Sequence, residues 1–326
     1  MRIAVTGSIA IDQLMVFSGS FAQQLIEERL DQVSLSFLAE SLEIRRGGVA
    51  ANIAFGLGRL GAQPLLVAAA GTDFDDYRIW LKEHRVDTDW VRVSDQAHTA
   101  RFICTTDREN NQIGTFYPGA MSEAREISIA EIARRTGVDH VLISPDDPGA
   151  MVRHARECRA HGITFSADPS QQLAVLERAE AQDVVRGARF LFTNAYEAEL
   201  LTERTGWSKR DILDRVDTWV ITQGADGVRI ESARTTLVRI PAVPVRRVVE
   251  PTGAGDAFRA GFLAGHSRRL GTEQAAWLGC AMASLALGTT GTQTYPLSRR
   301  ALRVALRAGY GSVATDAVTP HLGEVL

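Results

Sequence analysis

Lysine is nearly absent from this chain of 326 residues: Lys82 and Lys209 are the only two, and neither follows a glycine-rich loop. The phosphate-binding pattern GxxxxGK[ST] and the strand lysine of protein kinases are thereby excluded, since each places a lysine against bound phosphate. Any phosphate handled here must be met by helix N-termini, arginines and a metal. Cysteine is scarce too. Cys104, Cys158 and Cys280 are odd in number, far apart and without CxxC or Cys/His spacing, so neither a disulfide framework nor a structural zinc site is readable. Long apolar runs are missing: Met1-Arg-Ile-Ala-Val-Thr-Gly7 reads as a strand entering a turn, and nothing approaches the 20 or so residues of a membrane span. Runs of basic charge are missing, and the net charge is −3. The expectation is a cytoplasmic protein with small-molecule partners, no nucleic acid and no membrane. Gly7-Ser-Ile-Ala-Ile11 is not GxGxxG, which argues against a dinucleotide fold.

What is present is an alternating α/β pattern with 45% hydrophobic residues, enough for a sizeable core. Apolar runs over 3–9, 64–70, 138–144, 163–167, 189–193 and 219–222 read as strands. Helical patterns follow over 74–83, 148–161, 173–186, 256–268 and 272–287, with a closing helix from Leu297. Two stretches break the alternation. Thr99–Thr106 and Gln112–Tyr117 flank a polar turn as a hairpin, and 228–243 reads as another. No repeat, low-complexity tract or linker divides the chain. The pattern predicts a single domain over 1–326: a doubly wound, mostly parallel sheet with helices on both faces, plus a small antiparallel lid from segments near 10–17, 33–46 and 91–118.

Arg247–Phe262 carries the strongest chemical signal, an apolar run that breaks at Glu250-Pro-Thr-Gly253-Ala254-Gly255-Asp256 and continues as a helix. Free N–H groups at a helix start attract phosphate, and small residues let it approach the backbone. A carboxylate there would repel a bound anion but is well placed to take a proton from a hydroxyl attacking it. The plainer reading is that Asp256 caps the helix. A second glycine turn, Gly47-Gly48, opens a helix with Asn52 one turn in; close helix packing is its plainer reading. Asp12 lies near a strand end, where it either binds a ligand or stabilises a turn. Phe102 and Phe116 sit at equivalent places on the hairpin strands, as core or as a stacking platform. Asn194-Ala-Tyr-Glu197 opens a helix after a strand, able to hold Mg²⁺ through water or to form a capping pair.

With both glycine turns in view, the chain resembles the ribokinase-like (PfkB) family of sugar and nucleoside kinases. Gly47-Gly-Val-Ala-Ala-Asn52 through Leu60-Gly61 resembles the family's first signature and Glu250–Phe258 its second, with Asn194–Glu197 matching N-x-x-E between them. Within the family it most resembles bacterial adenosine kinases, through Val5–Ala10 with Asp12, Ser36-Phe, Phe102, Phe116–Arg125 and Ala167–Leu173. The resemblance implies an ATP- and Mg²⁺-dependent kinase that phosphorylates the 5′-hydroxyl of adenosine. Asp256 would be the general base, and Gly253, Ala254 and Gly255 would stabilise the transferred group. Asp12, Gly48 and Asn52 would hold the ribose, and Phe102 and Phe116 would sandwich the purine. Ser8, Ser36, Gln171 and Gln172 would touch the nucleoside; Asn194, Thr222, Gly224 and Gly227 would border ATP, with Glu197 at the metal. It further implies a homodimer through the lid. Glu250 stands where the family usually has aspartate, near the site of an activating monovalent cation, which puts potassium dependence in question. The alternatives are a sugar kinase and a nucleoside-binding protein without activity.

Overall fold

The computed structural model describes residues 1–24 and 35–323. The part of the expected lid segment at 33–34 lies outside them. The chain opens with β1 (Ile3–Thr6), β2 (Ala10–Phe17), β3 (Ala39–Gly47), α1 (Val49–Arg59), β4 (Leu65–Ala70), α2 (Asp75–Glu83) and β5 (Val91–Val93). The hairpin β6 (Ala100–Thr106) and β7 (Gln112–Tyr117) follows, then α3 (Ile129–Thr136), β8 (His140–Ile143), α4 (Pro148–Ala160), β9 (Thr164–Ala167), α5 (Arg178–Val185), β10 (Phe190–Asn194), α6 (Ala195–Thr205) and α7 (Lys209–Leu213). β11 (Thr218–Thr222), β12 (Val228–Glu231), β13 (Val238–Ile240), α8 (Ala254–Ser267), α9 (Thr272–Leu287) and α10 (Arg299–Val318) complete it.

The large sheet has the order β13-β12-β11-β10-β9-β8-β1-β4-β5. Strands β1, β4 and β8 are buried along their whole length, as uninterrupted apolar sequences such as Leu65-Leu-Val-Ala-Ala-Ala70 require when helices cover both faces. One core joins the sheet to α1, α2, α8, α9 and α10, and a second joins it to α3–α7. All pairings from β5 to β11 are parallel; only the β12 and β13 edge is antiparallel. Strand order reverses between β1 and β8, and the crevice beyond the strand ends at such a reversal is where doubly wound sheets bind ligands.

The lid is a four-stranded sheet, β3-β2-β6-β7, antiparallel at its outer pairings with β2 parallel to β6 in the middle. Three details depart from the sequence reading. The run 3–9 is not one strand: Gly7 (φ 141°) ends β1, and the chain restarts as β2 in the lid. Val91–Val93 joins the large sheet beside β4 rather than the lid. The helix expected over 173–186 is a 3₁₀ turn at Ser170–Ala174, then α5, because Glu177 and Glu180 form a capping box that starts the helix afresh.

Candidate active site

Helix α8 begins at Gly253, whose φ of 79° suits glycine and whose missing Cβ would stand 2.7 Å from Thr292 Cγ2. No side chain caps the helix. The Ala254 N–H makes a long turn bond of 3.3 Å to Pro251 O, whereas no backbone acceptor among the described residues takes the N–H groups of Gly255 or Asp256. These two donors lie at the positive end of the helix, an arrangement suited to an anion. A cleft of ≈ 250 Å³ opens onto Ala254 and Gly255, and Thr222, Gly224 and Gly227 line it. Its apolar wall, Val228, Ala242, Val243, Phe258 and Leu287, was not foreseen, since these residues read as ordinary core.

Asp256 is held by an amide. Asn52 Nδ2 donates to Asp256 Oδ2 at 2.9 Å, and the orientation of Asn52 is fixed from behind. Its Oδ1 accepts from Thr292 Oγ1 and Gln293 Nε2, each at 2.9 Å, while Gln293 also donates to the Tyr77 hydroxyl, which in turn donates to Gly47 O at 2.9 Å. Asn52, Tyr77, Thr292 and Gln293 are all buried, so this network sets one rotamer of Asn52. Asn52 is thereby committed as a donor, with one N–H left for a ligand. Burial pushes the Asp256 carboxyl up to about 6, against the opposing effects of the Asn52 hydrogen bond and the Arg259 charge. A carboxylate so tuned is ionised at neutral pH yet a stronger base than a free aspartate.

The first glycine turn is equally constrained. At Gly48 (φ 92°) a Cβ would stand 2.6 Å from Ala10 N and Ser8 O, so two backbones meet there. Ser8 Oγ accepts from Val49 N at 3.1 Å and caps α1 from the β1–β2 turn. Across the lid, Arg45, Asp12, Phe102 and Phe116 are successive register partners and share one face. The Asp12 carboxylate lies over Gly47, within 2.8 Å of where a Cβ would be, and burial raises it to about 6. Arg45 lowers it and Glu250 raises it further. The two phenylalanines are lateral neighbours, 38% and 50% exposed, and the Phe102 ring leans over Gly114.

Asn194 and Glu197 form a capping box at α6, and Glu197 Oε1 also accepts from Ser170 Oγ at 3.1 Å. Both carboxylate oxygens are engaged, and no cluster of three or more metal-binding side chains occurs among the described residues. This donor set suits a Mg²⁺ ion held mainly by phosphates and water, which Glu197 would reach through that water. Gln171 and Gln172 sit in the turn after β9, the former exposed; Ser36 is exposed just before β3. Among the described residues, these three show no hydrogen bond to Asp256 or Asn52.

Glu250 binds both lid and core: its Oε2 accepts from Arg45 Nη1 and Gly291 N, at 2.9 and 3.0 Å. Sequence reasoning missed Arg45, and also the buried pair Asp168–Arg259, whose Nη2 and Oδ1 lie 2.6 Å apart. Arg259 offered a signal, a cation inside an otherwise apolar helix face.

A model of the family described as pfkB family carbohydrate kinase matches residues 10–299. The structure of Burkholderia thailandensis nucleoside kinase in complex with inosine superposes with a TM-score of 0.83 at 32% identity, covering 95% of this chain and 99% of that one. The nucleoside kinase of Methanocaldococcus jannaschii is 29% identical over 269 residues, 82% of this chain and 87% of its own. The ribokinase of Bacillus subtilis is 28% identical over 297 residues, 90% and 94% of the two chains. With its ribokinase-like fold, the chain belongs to the pfkB family of carbohydrate kinases and is an ATP-dependent phosphotransferase acting on an alcohol group.

Proposed function

We propose that this protein is a nucleoside kinase that phosphorylates the 5′-hydroxyl of adenosine to give AMP. The observation that carries this reading is the lid row Asp12–Phe102–Phe116: an acceptor suited to ribose hydroxyls beside two neighbouring aromatic rings, on the face shared with Arg45. A sugar alone has no π face to stack. The relatives include nucleoside kinases, one of them solved with inosine, which favours a purine nucleoside over a free sugar.

In the proposed reaction the nucleoside lies between the lid and Gly48. Asp256, steadied through Oδ2 by Asn52, accepts the hydroxyl proton on Oδ1 as the new O–P bond forms and the bond to the departing ADP breaks. The N–H groups of Gly255 and Asp256 stabilise the charge on the transferred group. ATP lies in the cleft lined by Thr222, Gly224 and Gly227. Mg²⁺, when bound, neutralises phosphate charge, and Glu197 would orient its water. Arg45, at Glu250, supplies a positive charge of the chain's own where the resemblance implies a potassium ion. The outer lid face exposes Leu42 and Ile44, which supports self-association of two copies through that face.

A kinase assay over adenosine, guanosine, inosine, cytidine, ribose and fructose tests this reading. It requires adenosine to have the highest kcat/KM; a preference for ribose or fructose would replace it with a sugar kinase, and no ADP formation with any acceptor would leave a binding protein.

A further inference from the structure

Arg259, three residues after Asp256 on α8, is 6% exposed, and its partner Asp168 at the end of β9 is fully buried. The two meet as an ion pair: Nη2 donates to Oδ1 at 2.6 Å, and Nε lies 2.5 Å from Oδ2 without a hydrogen-bond geometry. Helical side chains lean towards the N-terminus of their helix. The third nitrogen, Nη1, accordingly reaches back to within 2.8 Å of where a Cβ on Gly255 would stand. The guanidinium thus lies beneath the first turn of α8, with the Phe192 ring 5.8 Å from its carbon on another side. Its charge is felt by carboxylates from three elements: Asp168 after β9, Asp256 on α8 and Glu197 on α6. A buried ion pair is a poor means of stabilising a fold, because apolar residues of similar volume commonly serve as well. Its position accounts for it better.

We propose that Arg259 is a positioning residue of the phosphoryl-transfer site: anchored by Asp168, it keeps Asp256 in its ionised, proton-accepting form and ties the first turn of α8 to the loop that carries Gln171 and Gln172. The proposal rests on Asp256 being the base. The groups that face Asp256 are the Asn52 amide on α1, the buried phenols of Tyr77 on α2 and Tyr295 before α10, the Asp168 carboxylate and Arg259. Arg259 is the cation of this set. The amide steadies one oxygen, whereas the guanidinium favours the charge itself. Burial pushes Asp168 up to about 7 with Arg259 opposing the rise, while Asp168 in turn favours the charged form of Arg259.

The test compares Arg259→Gln, Arg259→Lys and Asp168→Asn in the full-length protein, with kcat and KM for the nucleoside measured from pH 5 to 9. For Arg259→Gln the acid limb of kcat/KM should move up by about one pH unit, so that much of the loss at pH 7 is recovered at pH 9. Arg259→Lys keeps the charge and should bring the limb back towards the parent. Asp168→Asn leaves Arg259 uncompensated and should move the limb down. An Arg259→Gln profile of unchanged shape, lowered equally at every pH, would overturn the proposal, as would a change confined to KM. If Arg259→Gln does not fold, Asp168→Asn decides: a limb that stays or rises refutes the idea. Asp256→Asn run alongside separates the two layers, since an active Asp256→Asn enzyme refutes the base itself, whereas an inactive one with unmoved Arg259 and Asp168 profiles refutes only the role of Arg259.

Discussion

Replacing Asp256 by asparagine separates chemistry from structure with unusual clarity. An amide at 256 keeps an oxygen where Oδ2 now accepts from Asn52 at 2.9 Å, so that hydrogen bond survives and the nucleoside should bind nearly as before. The other position becomes an NH₂ group, which cannot take a proton. A positioned general base is worth about 10²–10⁴ in rate, or roughly 3–5 kcal/mol of barrier, and kcat should fall by that factor with KM within about threefold. Stability should move the other way. The folded carboxyl titrates at about 6, above the ordinary 3.8, so the native state holds its proton more tightly than the unfolded chain does. The resulting stabilisation is complete below pH 4 and lost as pH rises through 6. At pH 7.5 the buried charge costs on the order of 3 kcal/mol, which the neutral amide does not incur. The variant should melt several degrees higher than the parent at pH 7.5, with the difference shrinking towards pH 4. A coupled assay of ADP release at saturating substrates and thermal melts at pH 4.5 and 7.5 read both effects. Turnover within tenfold of the parent, or a lower melting temperature at pH 7.5, would refute the reasoning.

The lid and the turns give three further expectations. Phe116→Ala should raise KM for adenosine about three- to tenfold, the worth of roughly 0.5–1.5 kcal/mol for one aromatic contact, with kcat little changed in steady-state assays; an unaltered KM would remove the platform. Gly48→Ala places a methyl group 2.6 Å from two backbone atoms at a φ of 92°, and should cost about 1–3 kcal/mol in denaturant unfolding together with most of the activity. Because Arg45 already sits 2.9 Å from Glu250, exchanging potassium for a large organic cation at constant ionic strength should change kcat by less than twofold, while Arg45→Ala should be slow in both salts; a strong response of the parent enzyme to potassium would show that the guanidinium does not fill that role.

Where the chain stores information locally, the sequence was legible. The turn and helix at Glu250–Phe262 need only adjacent residues, and the glycines and Asp256 lie at the start of α8 as read, whereas the apolar run before them forms no strand. Phe102 and Phe116 were placed as a pair from hairpin spacing and are direct register partners. What could not be read depends on residues far apart in the chain. Thr292 and Gln293 orient Asn52 across some 240 positions, and nothing in a polar loop announces which amide it will hold. Arg45 and Glu250 meet only because β3 crosses above the loop at Gly291. The division of residues 3–17 between main sheet and lid was read correctly, but the first strand was carried on to Ile9; its end at Thr6 is set by the backbone angle at Gly7 and by the close approach of Ser144, whose Oγ would stand 2.2 Å from a Cβ there.

That division has a consequence for how the lid could be inherited or engineered. Its strands do not form one inserted module: β2 and β3 leave and rejoin the main body between β1 and α1, and β6 and β7 do so between β5 and α3. No single excision removes it and no single graft replaces it. Exchanging acceptor specificity between relatives would require two cuts whose strands still match in register along β2 and β6, where Asp12 comes from one excursion and Phe102 from the other. A chimera that carries only one of them would bring together an Asp12 carboxylate and a Phe102 ring with no shared history of packing.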